Sequence, residues 1–494
     1  MLKKQKRLII IFAIAAVLLT CTYFFVITPL VAKWTATEEI IPELLPGEVL
    51  GINNRILMFE HVEKAAIQEV EVHNEHGTYA FYRDLDDEFY IRDNKGAPYD
   101  QTALASLVVA AGYALSMERV TTECTNWEEY GLDEYSNPAW YKLTTIDGTE
   151  HIVYVGDMIP TGAGYYCRYI DRDAVYILEG SLSATLLAPV VNLISPIMAL
   201  PMSQTDYFTA RDFYIMRYDE VKIWIDYIAE GLNTNQPNPT FYEMKAPANY
   251  ITSSNYETAL QTFINFTGLA TLEIGKTDEI LSDEILAKYG IDLENPAWLV
   301  HYKYSGVDNY IYFSEKTEEG FYYAYSLLFN LVAVVDGATM SFFEWDLIQY
   351  VDSSIFMLNI NDMATIDVES EALTETFTLV GEGETIEISP ASTNKVFDKD
   401  QLKNFRQLYK TYLSIKMEDY TDSTSTDELL LCLRFTTDDG KVYEFKFYPY
   451  STRRCFYTIN GEGEFYVLRD MVEKAISDTR KVLADELVDS WAKN

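Results

Sequence analysis

The chain has 494 residues, a formal net charge of −38, 48% apolar residues and 38 tyrosines. At roughly 150 residues per domain the length implies about three domains, and the apolar share supplies packed cores without covalent staples. So large an excess of carboxylates disfavours nucleic acid and anionic lipid headgroups as partners on electrostatic grounds.

Lys3, Lys4, Lys6 and Arg7 precede an uncharged apolar run from Leu8 to Ala32. About 20 helical residues cross the hydrocarbon core, so this run predicts a transmembrane helix. The basic cluster predicts a cytoplasmic N-terminus and an extracytoplasmic remainder, with the protein at the cell membrane as a single-pass chain. A cleaved signal peptide has a shorter apolar core, about 7–15 residues. Thr20 is a weak residue before a lipoprotein cysteine at Cys21, and further apolar residues follow it. The head and span therefore take residues 1–34, and a linker takes 35–56.

Beyond the linker, "AIQEVEVHNEHGTYAFYRDLDDEFYIRD" alternates apolar and polar residues across turn-forming breaks, the pattern of short antiparallel strands. "DQTALASLVVAAGYALSM" places Leu104, Leu107, Val108, Ala111 and Leu115 at helical spacing, with Asp100 as N-cap. "YKLTTIDGTEHIVYVG" predicts two strands joined at Ile146-Asp147-Gly148 by a type I′ turn. In "VYEFKFYPY", Tyr443, Phe445 and Phe447 share one face of a strand.

Two phrases repeat. "YGLDEYSNPAW" runs from Tyr130 to Trp140 and "YGIDLENPAW" from Tyr289 to Trp298, with similar strand-like stretches after each. A degenerate third copy follows: Asp100 to Glu118 is matched by Asp400 to Glu418, and "LTTIDG" by "FTTDDG" at Phe435 to Gly440. The expectation is α+β: the transmembrane helix, then tandem units at 57–204, 205–352 and 353–494. Each unit reads as hairpin, helix, meander and helix, an antiparallel sheet with helices on one face.

The repeated phrase holds the candidate site residues: Tyr130, Gly131, Asp133, Pro138 and Trp140, and Tyr289, Gly290, Asp292, Pro296 and Trp298. The plainer reading is a helix-to-sheet corner. There Gly131 and Gly290 supply a φ that other residues resist, Asn137 is extended before Pro138, and Trp140 packs on the helix. The functional reading is a Tyr/Trp pair that grips a ligand.

Catalytic patterns are sparse. His73 and His76 in "VHNEHG" lack further fixed ligands, and no His-Glu-x-x-His helix occurs. His151 and His301 read as exposed strand positions without a serine or cysteine partner. "GEGE" at Gly381 to Glu384 and at Gly461 to Glu464 reads as a hairpin tip, with carboxylates that repel phosphate. Acidic loops such as Asp84 to Glu88 lack the EF-hand pattern. Cys432 and Cys455 read as residents of neighbouring strands and a candidate disulfide. No catalytic, cofactor-binding or metal residue is assigned, and the chain is expected not to be an enzyme.

The basic head, single span and the order "YGLDEYSNPAWYKLTTIDG…VYVGD…YY…VYIL" resemble the bacterial family called domain of unknown function 4340, best over 57–190. The resemblance implies a membrane-anchored extracytoplasmic accessory protein, of a kind associated with ABC-type transporters and gliding motility, and brings no catalytic residues with it. The expected role is a cell-envelope scaffold or accessory protein, with a transporter permease as candidate partner. The rivals are a cell-wall glycan binder, argued from the tyrosines and tryptophans, and an enzyme with a site between units.

Overall fold

The structure, a computed structural model, describes residues 42–92, 94–113, 116–229, 236–238 and 240–489. The apolar run read as a membrane span lies outside them, as does Leu115; among the described residues no helix is long and apolar enough to cross a membrane. The chain divides into two compact units. One runs to Arg92 and resumes over Asp100–Leu193; the other takes residues 94–99 and continues from Ile194.

The first unit opens with a two-stranded ribbon, β1 (Val49–Leu50) and β2 (Ile56–Leu57). Its sheet is built from β3 (Ile67–Asn74), β4 (Gly77–Arg83) and β5 (Phe89–Ile91). Helix α1 (Gln101–Gly112) and β6 (Ser116–Thr121) follow. A four-strand meander comes next: β7 (Ala139–Thr145), β8 (Glu150–Met158), β9 (Gly164–Tyr169) and β10 (Val175–Glu179). Helix α2 (Gly180–Leu187) ends the set. The strand order is β5-β4-β3-β7-β8-β9-β10-β6, antiparallel throughout.

The second unit builds the same sheet twice. The first set comprises β11 (Arg211–Arg217), β12 (Glu220–Tyr227), β13 (Tyr242–Ala246), α3 (Asn255–Gln261) and β14 (Ala270–Ile274). It continues with α4 (Asp283–Lys288), β15 (Trp298–Tyr304), β16 (Val307–Phe313), β17 (Phe321–Ser326), β18 (Leu331–Asp336) and α5 (Leu347–Tyr350). The second set comprises β19 (Met363–Ser370), β20 (Leu373–Val380), β21 (Glu387–Pro390), α6 (Lys399–Leu413) and β22 (Met417–Tyr420). It closes with β23 (Leu431–Thr437), β24 (Val442–Pro449), β25 (Arg454–Ile459), β26 (Phe465–Leu468) and α7 (Arg469–Leu483). Their orders, β13-β12-β11-β15-β16-β17-β18-β14 and β21-β20-β19-β23-β24-β25-β26-β22, reproduce the first sheet strand for strand. The repeated sheet units expected from the sequence are therefore present.

Alternation builds the cores. Val70 and Val72 of β3 and Tyr141 and Leu143 of β7 are buried together with Leu104, Leu107 and Val108 of α1. Asn74 points the same way and donates to the carbonyls of Leu186 (2.9 Å) and Ala188 (3.0 Å), fixing the end of α2. Phe213 meets Tyr256 of α3 at 5.5 Å, and Phe377 meets Phe405 of α6 at 4.8 Å, so each sheet packs a helix on the equivalent face. Helix α1 ends at Gly112, where a Cβ would lie 2.4 Å from the carbonyl oxygen of Val62.

A buried carboxylate holds the ribbon in place. Glu48 accepts from Arg119 Nη1 at 2.5 Å, the Tyr176 hydroxyl at 2.7 Å and the Leu45 amide at 2.7 Å. Burial, and then the Glu48 hydrogen bond, push the Tyr176 phenol up to about 12. Stripping one partner from a buried pair costs about 3–5 kcal/mol, so this cluster fastens the start of the described chain to β6 and β10.

Four expectations are corrected. The β7–β8 turn is not type I′: Gly148 alone takes a left-handed φ, 87°, while Thr145 N donates to Thr149 O (2.9 Å) and Gly148 N to Thr145 O (3.0 Å). That is a type I turn closed by a glycine bulge; the Thr437–Lys441 turn copies it, while type I′ pairs occur at Ser305-Gly306 (φ 49° and 80°) and Asn460-Gly461 (φ 51° and 97°). Asn137 takes φ 44° and is not extended, a conformation its short amide tolerates. His301 is buried, at 4% exposure. Cys432 and Cys455 are free thiols separated by β24, opposite Lys446 and Pro449 respectively. Two strand spacings are about 9–10 Å, beyond the reach of a disulfide.

Candidate functional site

The repeated phrase folds as one device in both copies. In the first, a 3-10 turn over Trp127–Tyr130 ends at Gly131, with φ 64°. Gly131 N donates to Glu128 O (3.2 Å) and Leu132 N to Trp127 O (3.1 Å). In the second, α4 ends through Gly290, φ 67°, with Gly290 N on Ala287 O (3.0 Å) and Ile291 N on Leu286 O (3.1 Å). These paired bonds are the Schellman motif, which requires a glycine-like residue after the cap and an apolar residue next. Leu132 and Ile291 fill that apolar position and are buried.

The aspartates close the following loop. Asp133 Oδ1 accepts from Tyr135 N (2.8 Å) and Ser136 N (3.2 Å); Asp292 Oδ1 accepts from Glu294 N (2.9 Å) and Asn295 N (3.1 Å). The Ser136 hydroxyl donates to the other oxygen of Asp133 and holds its carboxyl below the ordinary range. Tyr289 donates to Glu273 at 3.0 Å, and Tyr130 lies edge-on to Tyr166 with centroids 4.9 Å apart. Pro138 and Pro296 precede the strands that carry Trp140 and Trp298. The phrase is thus a helix stop, a loop clamp and a strand start.

The two tryptophans, however, meet different surroundings. Trp298 lies parallel to Phe343 at 4.4 Å, with the Arg217 guanidinium 4.7 Å from its ring centre. Arg217 in turn pairs with Glu315 at 2.7 Å and donates to Ala297 O at 2.8 Å, and this pairing holds the Glu315 carboxyl below its ordinary range. Trp298 borders a cleft of about 300 Å³ that Trp345, Tyr350 and Tyr420 also line. With a parallel ring and a neutralised cation against it, Trp298 is a packing residue.

Trp140 does not pack on the helix as expected. It stands on the opposite face of the first sheet, stacked on His73 at 5.6 Å. Register extends this contact into a row: His73 opposite Trp140, Trp140 opposite Tyr154, and Tyr154 opposite Arg168. The Arg168 guanidinium lies 4.7 Å from the Tyr154 ring and 4.8 Å from the Trp127 ring. All five side chains are half-buried. His73 is occupied by the Thr78 hydroxyl at 2.6 Å, and among the described residues no cluster of three metal-ligating side chains forms.

The outer faces of the other sheets carry rows of other kinds. In the second, Tyr214 stacks on His301 at 4.7 Å and His301 meets Tyr310 at 4.3 Å. His301 lies 2.9 Å from Asp212 O and 3.1 Å from Asp308, which explains its burial. At the row's end Lys245 covers Trp224 at 4.9 Å and pairs with Asp226 at 2.6 Å. In the third sheet the row aligned with the Glu71–Lys142 pair (2.9 Å) of the first is a charge ladder: Thr376 donates to Asp367 (2.6 Å), and Glu444 pairs with Arg434 (2.5 Å) and Lys446 (2.5 Å). Such cross-strand aromatic and opposite-charge pairs each contribute roughly 0.2–1 kcal/mol.

Sequence reasoning named Trp140 but missed Trp127, Tyr154 and Arg168. The signal was available in part: Tyr154 and Arg168 alternate with the buried Val153, Val155 and Cys167, which marks them as residues of the opposite face. Which of them share a row depends on register, and that is a tertiary property.

No curated protein and no solved structure matches the chain. The family model described as a domain of unknown function, DUF4340, matches residues 90–197, a stretch from the end of β5 through α1, β6 and the meander past α2. That element order recurs in the second and third sheets. Residues 90–197 therefore match the family that the resemblance in the sequence implied.

Proposed function

We propose that the chain is a membrane-anchored, extracytoplasmic scaffold or accessory protein of the bacterial cell envelope, with the permease of an ABC-type transporter as its candidate partner. The observation that carries this reading is one eight-stranded topology built three times. Its outer rows differ from sheet to sheet while the repeated phrase goes into turn geometry. A repeated frame with varied faces suits a protein that holds others, because several modest contacts on one tether act at high effective concentration. The basic head and the apolar run from Leu8 to Ala32 supply the tether in this reading, and the net charge of −38 keeps the exposed part soluble.

The test uses the full chain with a C-terminal tag in its native cells. We expect the protein to stay in membranes washed with alkaline carbonate, to lose its tag to protease added to spheroplasts, and to crosslink reproducibly to one permease. A tag shielded from that protease, or crosslinks that change from one preparation to the next, would overturn the proposal.

A further inference from the structure

Arg168 differs from cations on the outer faces of the other two sheets. Lys245 and Arg434 each have a carboxylate partner at 2.6 Å and 2.5 Å. Arg168 forms no hydrogen bond and no ion pair among the described residues, and its Nε–H is buried without an acceptor. This occurs in a chain with 76 aspartates and glutamates. The two rings, at 4.7 Å and 4.8 Å, hold the guanidinium in place. A flat cation between aromatic faces is pre-organised, and its unused N–H groups form a fork that matches the two oxygens of a carboxylate.

What lies beside this fork selects the ligand. Tyr154 and Trp140 continue the row toward His73 as half-buried rings on the outer face of the sheet. Aromatic faces carry partial negative charge and attract the slightly positive C–H bonds on the face of a sugar ring. From the unpaired guanidinium and the adjoining platform, we infer that the outer face of the first sheet binds an acidic saccharide, a uronic-acid-bearing glycan. The carboxylate sits on Arg168, and the sugar rings lie over Tyr154 and Trp140. This goes beyond the scaffold role and does not depend on it: a soluble protein with this face would bind the same ligand.

The test titrates the detergent-solubilised full chain with oligogalacturonate and follows tryptophan fluorescence, with a neutral gluco-oligosaccharide of equal length as control. We expect saturable binding of the acidic sugar, weakened by salt and at least about tenfold tighter than binding of the neutral one. Arg168→Gln should abolish that preference. Arg168→Lys keeps the charge but loses the fork, and should retain only part of it. Thermal melting of each variant shows whether it has folded, and Trp140→Ala, which leaves the Arg168 clasp intact, should weaken binding of both sugars. Equal affinity for the two sugars, no saturable binding, or unchanged discrimination in a folded Arg168→Gln protein would overturn the inference.

Discussion

Gly131 and Gly290 hold the same left-handed turn against different neighbours. A Cβ on Gly131 would lie 2.6 Å from Asp157 Oδ1 and 2.9 Å from the Asp157 amide, while one on Gly290 would find only the Ser314 Cβ at 3.7 Å. Gly156 closes the same contact from the other side, its Cβ position being 2.1 Å from Tyr130 O. A left-handed alanine costs about 1–2 kcal/mol from the backbone alone, and overpacking adds about 1–3 kcal/mol. We expect Gly290→Ala to lose about 1 kcal/mol of stability in denaturant titration and Gly131→Ala to lose clearly more. Equal losses would mean that the turn abuts β8 less closely than described. The need for a left-handed glycine was legible in the sequence, because the hydrogen bonds that require it span at most five residues. The abutment against Gly156 was not, since that residue lies 25 positions further along the chain.

At the level of elements, the first helix of each repeat shows how far local chemistry can be read. Asp100 caps α1 as expected, accepting from the amides of Thr102 (3.0 Å) and Ala103 (3.0 Å). In the third copy the sequence match pairs Asp100 with Asp400, yet the cap is Asp398, which forms a full capping box with Gln401. The match keeps the strands aligned, since β6 and β22 hold Met117 and Met417 in equivalent strands, while the helix starts two residues early. An Asp-to-Ala change at a cap costs about 1 kcal/mol, whereas an exposed pair such as Asp400 with Lys403 (3.0 Å) is screened by solvent and contributes little. We therefore expect Asp398→Ala to destabilise the chain by about 1 kcal/mol and Asp400→Ala to have an effect too small to resolve by thermal melting. The reverse order would place the helix start where the sequence match puts it.

Over the whole molecule, buried phenols set the response to alkali. Burial pushes Tyr79, Tyr176, Tyr325 and Tyr443 up to about 12, against about 10 for an unfolded tyrosine. Below pH 10 both states keep these protons, so the stabilisation is fully present. Between about pH 10 and 12 only the unfolded chain releases them, so stability falls as pH rises through that window. We expect the denaturant midpoint to drop steeply there, with tyrosine ionisation, followed by ultraviolet absorbance, coinciding with loss of the native circular dichroism. Phenols that titrate near pH 10 in a chain that stays folded would contradict the burial described.

By itself the sequence determined the repeat, the antiparallel α+β class, the helix caps and the glycine turns, because each depends on residues within a few positions of one another. Tertiary structure alone decided that the strand after the first helix of each unit crosses to the far edge of its sheet, so that β6 pairs with β10. It also decided that Trp298 stacks on Phe343 beneath Arg217 while Trp140 stacks on His73 in the row that ends at Arg168. Both outcomes depend on which strands become neighbours and in what register. Contacts of that kind join residues tens of positions apart, and no local pattern encodes them.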